Sequence, residues 1–255
     1  MFNNLLKINP QEEEKKIVAF LRKTFEEQKI EKAVIGISGG VDSATSLVLL
    51  SKSIPLENIT VLHLPYFYKS DPDVEKIVKV VGLSSDQYRT ISIKEMADSL
   101  IKELKIPKDD QLRRGNIMAR VRMITLFDFA KKNNAMVVGT ENRSEYHLGY
   151  FTRFGDEASD IEPLQHLYKT QVIELAKYLS LPQSIIEKPP SANLWESQTD
   201  EGDFGFSYAE ADPVLYLYFD KEKTIEEIEK DFSNARKIID FAKKNSYKHS
   251  VPYRL

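Results

Sequence analysis

The 255-residue chain has no cysteine, which excludes disulfides and thiolate zinc sites and removes the nucleophile of a thiol-based glutaminase. No glutaminase domain is therefore expected within it. Histidine is scarce as well, at four residues with no metal-ligand spacing. No apolar run approaches membrane-spanning length, and the patch from Met1 to Leu6 is too short for the core of a signal sequence. Neither sign of charge dominates: a net charge of −3 gives no basic surface for nucleic acid. What is left, at 42% hydrophobic and 29% charged residues, is the composition of a soluble globular protein, expected in the cytoplasm with no membrane or nucleic-acid partner. Its length suits a single α/β domain with a substantial core.

The densest stretch is Ala33-Val34-Ile35-Gly36-Ile37-Ser38-Gly39-Gly40-Val41-Asp42-Ser43-Ala44. An apolar run of strand length enters it, a glycine pair turns it, and helix formers follow to Leu50. A strand, a tight loop and a helix N-terminus make an anion site, because the first-turn N–H groups and the peptide dipoles face the loop. Gly39 and Gly40 admit an oxyanion close to the main chain, and Ser38 and Ser43 add hydroxyl donors. No Gly-Lys-Ser/Thr follows, so this is not a Walker A loop. Asp42 stands where that motif has lysine, and a carboxylate beside phosphates makes sense as a magnesium ligand. The stretch resembles the SGGxDS loop of the N-type ATP pyrophosphatases, which cleave ATP between its α and β phosphates. At roughly 7% per fixed position, chance gives such a match about once in a million starting positions.

Strands are expected at Ile59 to Leu64, Tyr88 to Ile93 and Ala135 to Gly139, alternating with helices at Val74 to Val81, around Met96, Leu100 and Ile101, and from Asn116 to Lys132. Asn9 and Pro10 open an N-terminal helix whose Ile17, Phe20, Leu21 and Phe25 share the face that packs on the sheet. This pattern predicts a doubly wound parallel sheet flanked by helices, with ligands at the carboxyl ends of the strands. The loops after strands 1 and 4 should then open onto one crevice. Further helices are expected at Lys169 to Leu179, Thr224 to Asp231 and Ser233 to Asn245. The acid- and glycine-rich segment from about 190 to 207, which holds the only tryptophan, Trp195, reads as a mobile lid.

A second dense region narrows the family. Gly139-Thr140-Glu141-Asn142-Arg143-Ser144-Glu145, Gly149 to Asp156, Leu167-Tyr168-Lys169-Thr170, Lys188 to Trp195 and Phe204-Gly205-Phe206-Ser207-Tyr208 together resemble the ammonia-dependent NAD synthetases. The likeness runs from about Val34 to Pro252. It implies a homodimeric ligase that amidates deamido-NAD with free ammonia and splits ATP to AMP and pyrophosphate through an adenylate. It puts ATP on Gly36, Ile37, Ser38, Gly39, Gly40, Val41, Asp42, Ser43, Thr140, Lys169 and Ser191, and Mg2+ on Asp42 and Glu145. Deamido-NAD falls on Arg120, Arg153, Asp160, Tyr247 and Lys248. Arg153 replaces the family's commoner lysine, and Tyr247 its commoner histidine. Asn116 and Arg120 share a helix face, and Arg122 points away from it. Asp156 is the expected base that takes a proton from ammonium, beside Lys169 as a catalytic cation. The alternatives are a GMP synthetase-like amidase or adenylase of the same superfamily, or a nucleotide sensor without turnover.

Overall fold

The computed structural model describes residues 5–67, 71–249 and 251–253. Part of the N-terminal patch discussed above, residues 1–4, lies outside them. In chain order the elements leading into the sheet are α1 (Pro10–Gln28), β1 (Lys32–Gly36), α2 (Val41–Ser51), β2 (Ile59–His63), α3 (Pro72–Val81), β3 (Tyr88–Thr90), α4 (Lys94–Glu103), α5 (Gln111–Asn133) and β4 (Ala135–Val138). The strands pair in parallel in the order β3-β2-β1-β4, with Ile35 opposite Val61 on one side and Val138 on the other.

Strand alternation sorts the core into two layers. Ala33, Ile35, Ile59, Val61, Met136 and Val138 face the layer of α1, α2, α3 and α7 (Lys169–Tyr178), while Val34, Leu62 and Val137 face that of α4 and α5. The chain winds outward from β1 to β3 and then returns across the sheet to β4. The switch point therefore falls between β1 and β4, where a parallel sheet opens a crevice. The outer edge of β4 is sealed rather than left open. Asp160 accepts from the Val137 N–H at 2.7 Å, and Gly139 N donates to Ile161 O at 2.9 Å.

The expected fold class is the observed one, with local corrections. Phe20 is 46% exposed, because α1 packs on α2 and α7 through Ile17, Leu21 and Phe25, with Val18 at the margin. Met96 and Leu100 are likewise exposed, leaving Ala97 and Ile101 as the buried stripe of α4. Strand β3 stops at Thr90, and α5 starts five residues earlier than expected, where Asp110 caps the Arg113 N–H at 3.2 Å. After β4 come α6 (Arg143–Leu148), α7, α8 (Gln183–Ile186), α9 (Asp200–Phe204), α10 (Tyr208–Leu215), a π-turn over Tyr216–Asp220, α11 (Ile225–Ile228) and α12 (Ala235–Asn245). Of these α6, α8, α9 and α10 are not foreseen, and α11 is shorter than the helix expected there. The helices α6, α10 and α12 enclose a third apolar cluster around Leu148, Tyr208, Leu215 and Ile238.

Candidate functional site

The glycine loop is shaped by its own residues. Gly39 has φ +77°, a left-handed conformation, and a Cβ there would lie 2.6 Å from Asp71 Oδ2, so glycine alone fits. Ser43 Oγ donates to Gly40 O at 3.1 Å and accepts from Ser38 N at 3.2 Å, while Gly40 N donates to Ser38 Oγ at 3.2 Å. The two serines thus brace the turn. Gly40 is the N-cap of α2 and has no side chain to offer, which leaves the first-turn N–H groups of Val41, Asp42 and Ser43 open to an anion.

Across the switch point the loops of β1 and β4 meet, as expected. Asn142 Nδ2 donates to Asp42 Oδ1 at 3.0 Å. The same asparagine caps α6 through Glu145 N at 3.0 Å, and Glu145 Oε2 closes the capping box on Asn142 N at 3.3 Å. Glu145 has a second use. Its Oε1 lies 3.5 Å from Lys169 Nζ, and that ammonium also donates to Asp42 Oδ2. Lys169, only 2% exposed, stands at the start of α7, where Ser144 Oγ accepts from its backbone N–H at 2.8 Å. Burial alone would drive off its proton, but Asp42 and Glu145, with Asp200 beyond them, outweigh that and hold it charged. Desolvation in the crevice pushes Glu145 well above the usual carboxylate range; Lys169 opposes the shift and Asp42 adds to it. A single buried cation therefore sits between two acids that come from different strand ends.

A second cluster lies over the loop from Gly149 to Asp156. Lys248, returning from the C-terminal end, donates to Gly149 O at 2.7 Å and Phe151 O at 2.9 Å. Arg120 Nη2 donates to Arg153 O at 3.2 Å, and the Arg153 guanidinium lies 5.8 Å from the Tyr247 ring centre. Thr152 anchors the loop, its hydroxyl on Asn116 Oδ1 at 2.9 Å and its N–H on Asp156 Oδ1 at 3.0 Å. Asp156 is open to water yet set deep among protein atoms, and that desolvation raises its pKa. Arg120, Arg153, Asp156, Tyr247 and Lys248 thus converge. Asp160 stands apart, tied to the edge of β4, Thr140 lies half-buried just past that strand, and Ser191 accepts from Asn193 N at 3.1 Å in the segment expected as a lid.

Arg122 points away from the face of Arg120, as expected. Its Nε donates to Leu64 O at 3.0 Å, beyond the end of β2, and its charge acts on Asp156. It lies opposite Arg120 on α5 and reaches the crevice from the sheet side. Two further groups escaped sequence reading. Asp200, 3% exposed at the start of α9, accepts from Tyr208 OH at 2.9 Å and faces Lys169 electrostatically. Glu141 and Glu162, beside Gly139, form a buried acid pair in which Glu162 Oε2 accepts from Glu141 N at 3.0 Å; desolvation pushes each up to about 8. A Cβ on Gly139 would strike Glu162, so the glycine of that motif makes room for the pair.

A parallel α/β sheet with an anion loop and a lysine held by acids at its switch point defines a nucleotide-dependent enzyme class rather than a structural module. The comparisons then identify the family. The NAD synthase family model matches residues 13–252. An NH3-dependent NAD+ synthetase from Thermoplasma acidophilum is 43% identical over 247 residues, 96% of this chain and 97% of that one. Its counterpart in Fusobacterium nucleatum is 43% identical over 229 residues, covering 88% and 86%. Among solved structures, the NMN synthetase of Francisella tularensis matches with a TM-score of 0.83 at 31% identity, over 98% of this chain and 99% of that one. The NH3-dependent NAD synthetase of Campylobacter jejuni gives 0.80 at 29% identity, over 97% and 100%. The chain belongs to the NAD synthase family, as an enzyme of the ammonia-dependent type.

Proposed function

We propose that the chain joins ammonia to the nicotinate carboxylate of deamido-NAD and draws on ATP, which is split to AMP and pyrophosphate. The observation that carries this reading is Lys169 gripped by Asp42 and Glu145 where the β1 and β4 loops meet. A carboxylate is a poor electrophile, so its oxygen first attacks the α-phosphorus, the bond to the bridging oxygen breaks, and pyrophosphate leaves. The open N–H groups of α2 and the turn from Gly36 to Ser43 receive that leaving group, with Lys169, Thr140 and Ser191 on the rest of the nucleotide. Asp42 and Glu145 fit magnesium: they are two oxygen donors from separate loops. Among the described residues no group of three or more such side chains could hold a metal by itself. Mg2+ commonly keeps water and phosphate oxygens beside one or two carboxylates, and when bound it would offset polyphosphate charge.

In the second half-reaction ammonia attacks the acyl carbon and the bond to AMP breaks. Asp156 takes the proton from ammonium that frees the nitrogen lone pair, and its raised pKa brings it nearer the operating pH. Arg120, Arg153, Tyr247 and Lys248 bind the dinucleotide around the same loop, with Asp160 bracing its far end. The segment 190–207 closes over the adenylate and excludes water, which would otherwise hydrolyse it. A homodimer belongs to this reading: Leu100, Leu104, Leu112 and Ile124 are exposed on α4, at its end and on α5, apolar side chains that a second copy would cover. Among the described residues no helix is long and apolar enough to cross a membrane, and we place the reaction in the cytoplasm.

The match to an NMN synthetase favours one second reading, in which the acceptor is deamido-NMN, the mononucleotide. AMP release with ammonia should be measured with deamido-NAD, with deamido-NMN and with xanthosine monophosphate. Fastest turnover on the first supports the proposal, and preference for the second shifts it to the mononucleotide. Preference for the third indicates a GMP synthetase-like amidase, and no AMP with any of them indicates a sensor.

A further inference from the structure

Lys188 lies outside the clamp of Lys169, yet its ammonium rests against the anion loop. Its Nζ is 3.4 Å from Gly39 O, 2.9 Å from Asp71 Oδ2 and 3.4 Å from Asp73 Oδ2. Asp71 caps α3 with its other oxygen, which accepts from Asp73 N at 3.0 Å. Its Oδ2 fills the space that a side chain on Gly39 would occupy. A carboxylate laid on an anion loop repels the phosphate the loop is built to hold, unless a cation offsets it. Asp73 is otherwise engaged, by Lys76 at 3.0 Å and Ser184 at 2.7 Å. Lys169 is tied to Asp42 and Glu145 across the crevice, so it does not offset the Asp71 carboxylate that lies on the loop. Lys188 is the nearby ammonium whose partner can be exchanged.

We propose that Lys188 is a second phosphate-binding cation of the glycine loop, held by Asp71 until phosphate arrives and then transferred to the phosphate oxygens. The proposal rests on the nucleotide reading above and adds to it a residue and an exchange. Lys188 directly precedes Pro189-Pro190, whose fixed backbone starts the segment read as the lid, so the transfer also ties that segment's stem to an occupied loop.

The test is calorimetric binding of inorganic pyrophosphate with magnesium, together with KM for each substrate. Lys188→Ala should weaken pyrophosphate binding about tenfold to a hundredfold and raise KM for ATP in parallel, as expected for loss of a charge-assisted bond. KM for deamido-NAD should stay within about twofold, and Lys188→Arg should recover most of the loss. Asp71→Asn keeps the cap of α3 but releases the lysine, so pyrophosphate should bind as well or more tightly. The proposal is overturned if Lys188→Ala, or Lys188→Gln should the alanine variant not fold, binds pyrophosphate within about threefold of the unaltered chain. It is equally overturned if Asp71→Asn weakens binding beyond that margin, because the pair is then only a structural tie. An unaltered chain that bound no pyrophosphate and released no AMP would overturn the nucleotide reading itself, a result distinct from both.

Discussion

Replacing Lys169 by methionine keeps the length of the side chain and deletes its charge from a site only 2% exposed. The loss is one charge-assisted hydrogen bond to Asp42, about 1.5–3 kcal/mol, and a longer ion pair to Glu145. The gain is relief from burying an ammonium. What remains is two acids facing one another without a cation, so the net cost is about 2–4 kcal/mol near pH 8. For a chain of this size that lowers Tm by about 5–15 °C. The sign of the pH dependence follows from Glu145, whose pKa already stands high because the crevice desolvates it while Lys169 holds it down. Without Lys169 it rises further, and the variant takes up a proton as pH falls. Neutralising one acid ends the repulsion, so the deficit in Tm should be smaller at pH 5.5 than at pH 8. Magnesium supplies the missing charge and should raise the Tm of the variant more than that of the parent, although AMP release is abolished. Differential scanning calorimetry at both pH values, with and without magnesium, reads each effect. A Tm unchanged to within about 2 °C at pH 8, or an equal deficit at both pH values with no extra response to magnesium, would refute the clamp.

Gly39→Ala places a Cβ on Asp71 at a left-handed φ of +77°, so it should cost about 1–2 kcal/mol in chemical denaturation and remove most ATP affinity. Asp156→Asn keeps an acceptor for Thr152 N but not the base; ammonia-dependent turnover should fall about a hundredfold or more while ATP–pyrophosphate exchange persists. Equal loss of both half-reactions would show Asp156 to be structural. Glu141 and Glu162 carry folded-state pKa values of about 8, above the ordinary carboxylate value of 4.5. The stability they contribute is therefore complete below about pH 4.5 and is lost as pH rises through about 8. Glu162→Gln removes one titrating group and should flatten the fall in Tm between about pH 4.5 and pH 8; an unaltered slope would count against the pair.

What could be read from the sequence, and what could not, follows from the range of the forces involved. The β1 turn is legible because the anion grip proposed for it makes local demands: a continuous apolar strand, a glycine at positive φ and an uncapped helix start all fall within a dozen residues. The capping box of Glu145 is local in the same sense, and it makes an acid that reaches Lys169 across the crevice look like an ordinary N-terminal one. Strand β3 was overdrawn for a related reason. Ile91 and Ile93 still donate to His63 O and Pro65 O, so the apolar alternation is real, but the partner has left the ladder at Pro65. Helical angle rightly separates Arg122 from Arg120 on α5, but it does not say that the Arg122 charge acts on Asp156 from the other side of that helix. The same limit hides Asp200 and the Asp71–Lys188 pair, which are brought to the site only by the packing of α9 and α3. Residues that hold a ligand through their own backbone therefore leave a motif. Those that tune charge from a distant segment leave none, and they are the ones whose substitution should alter affinity and pH response while the fold stays intact.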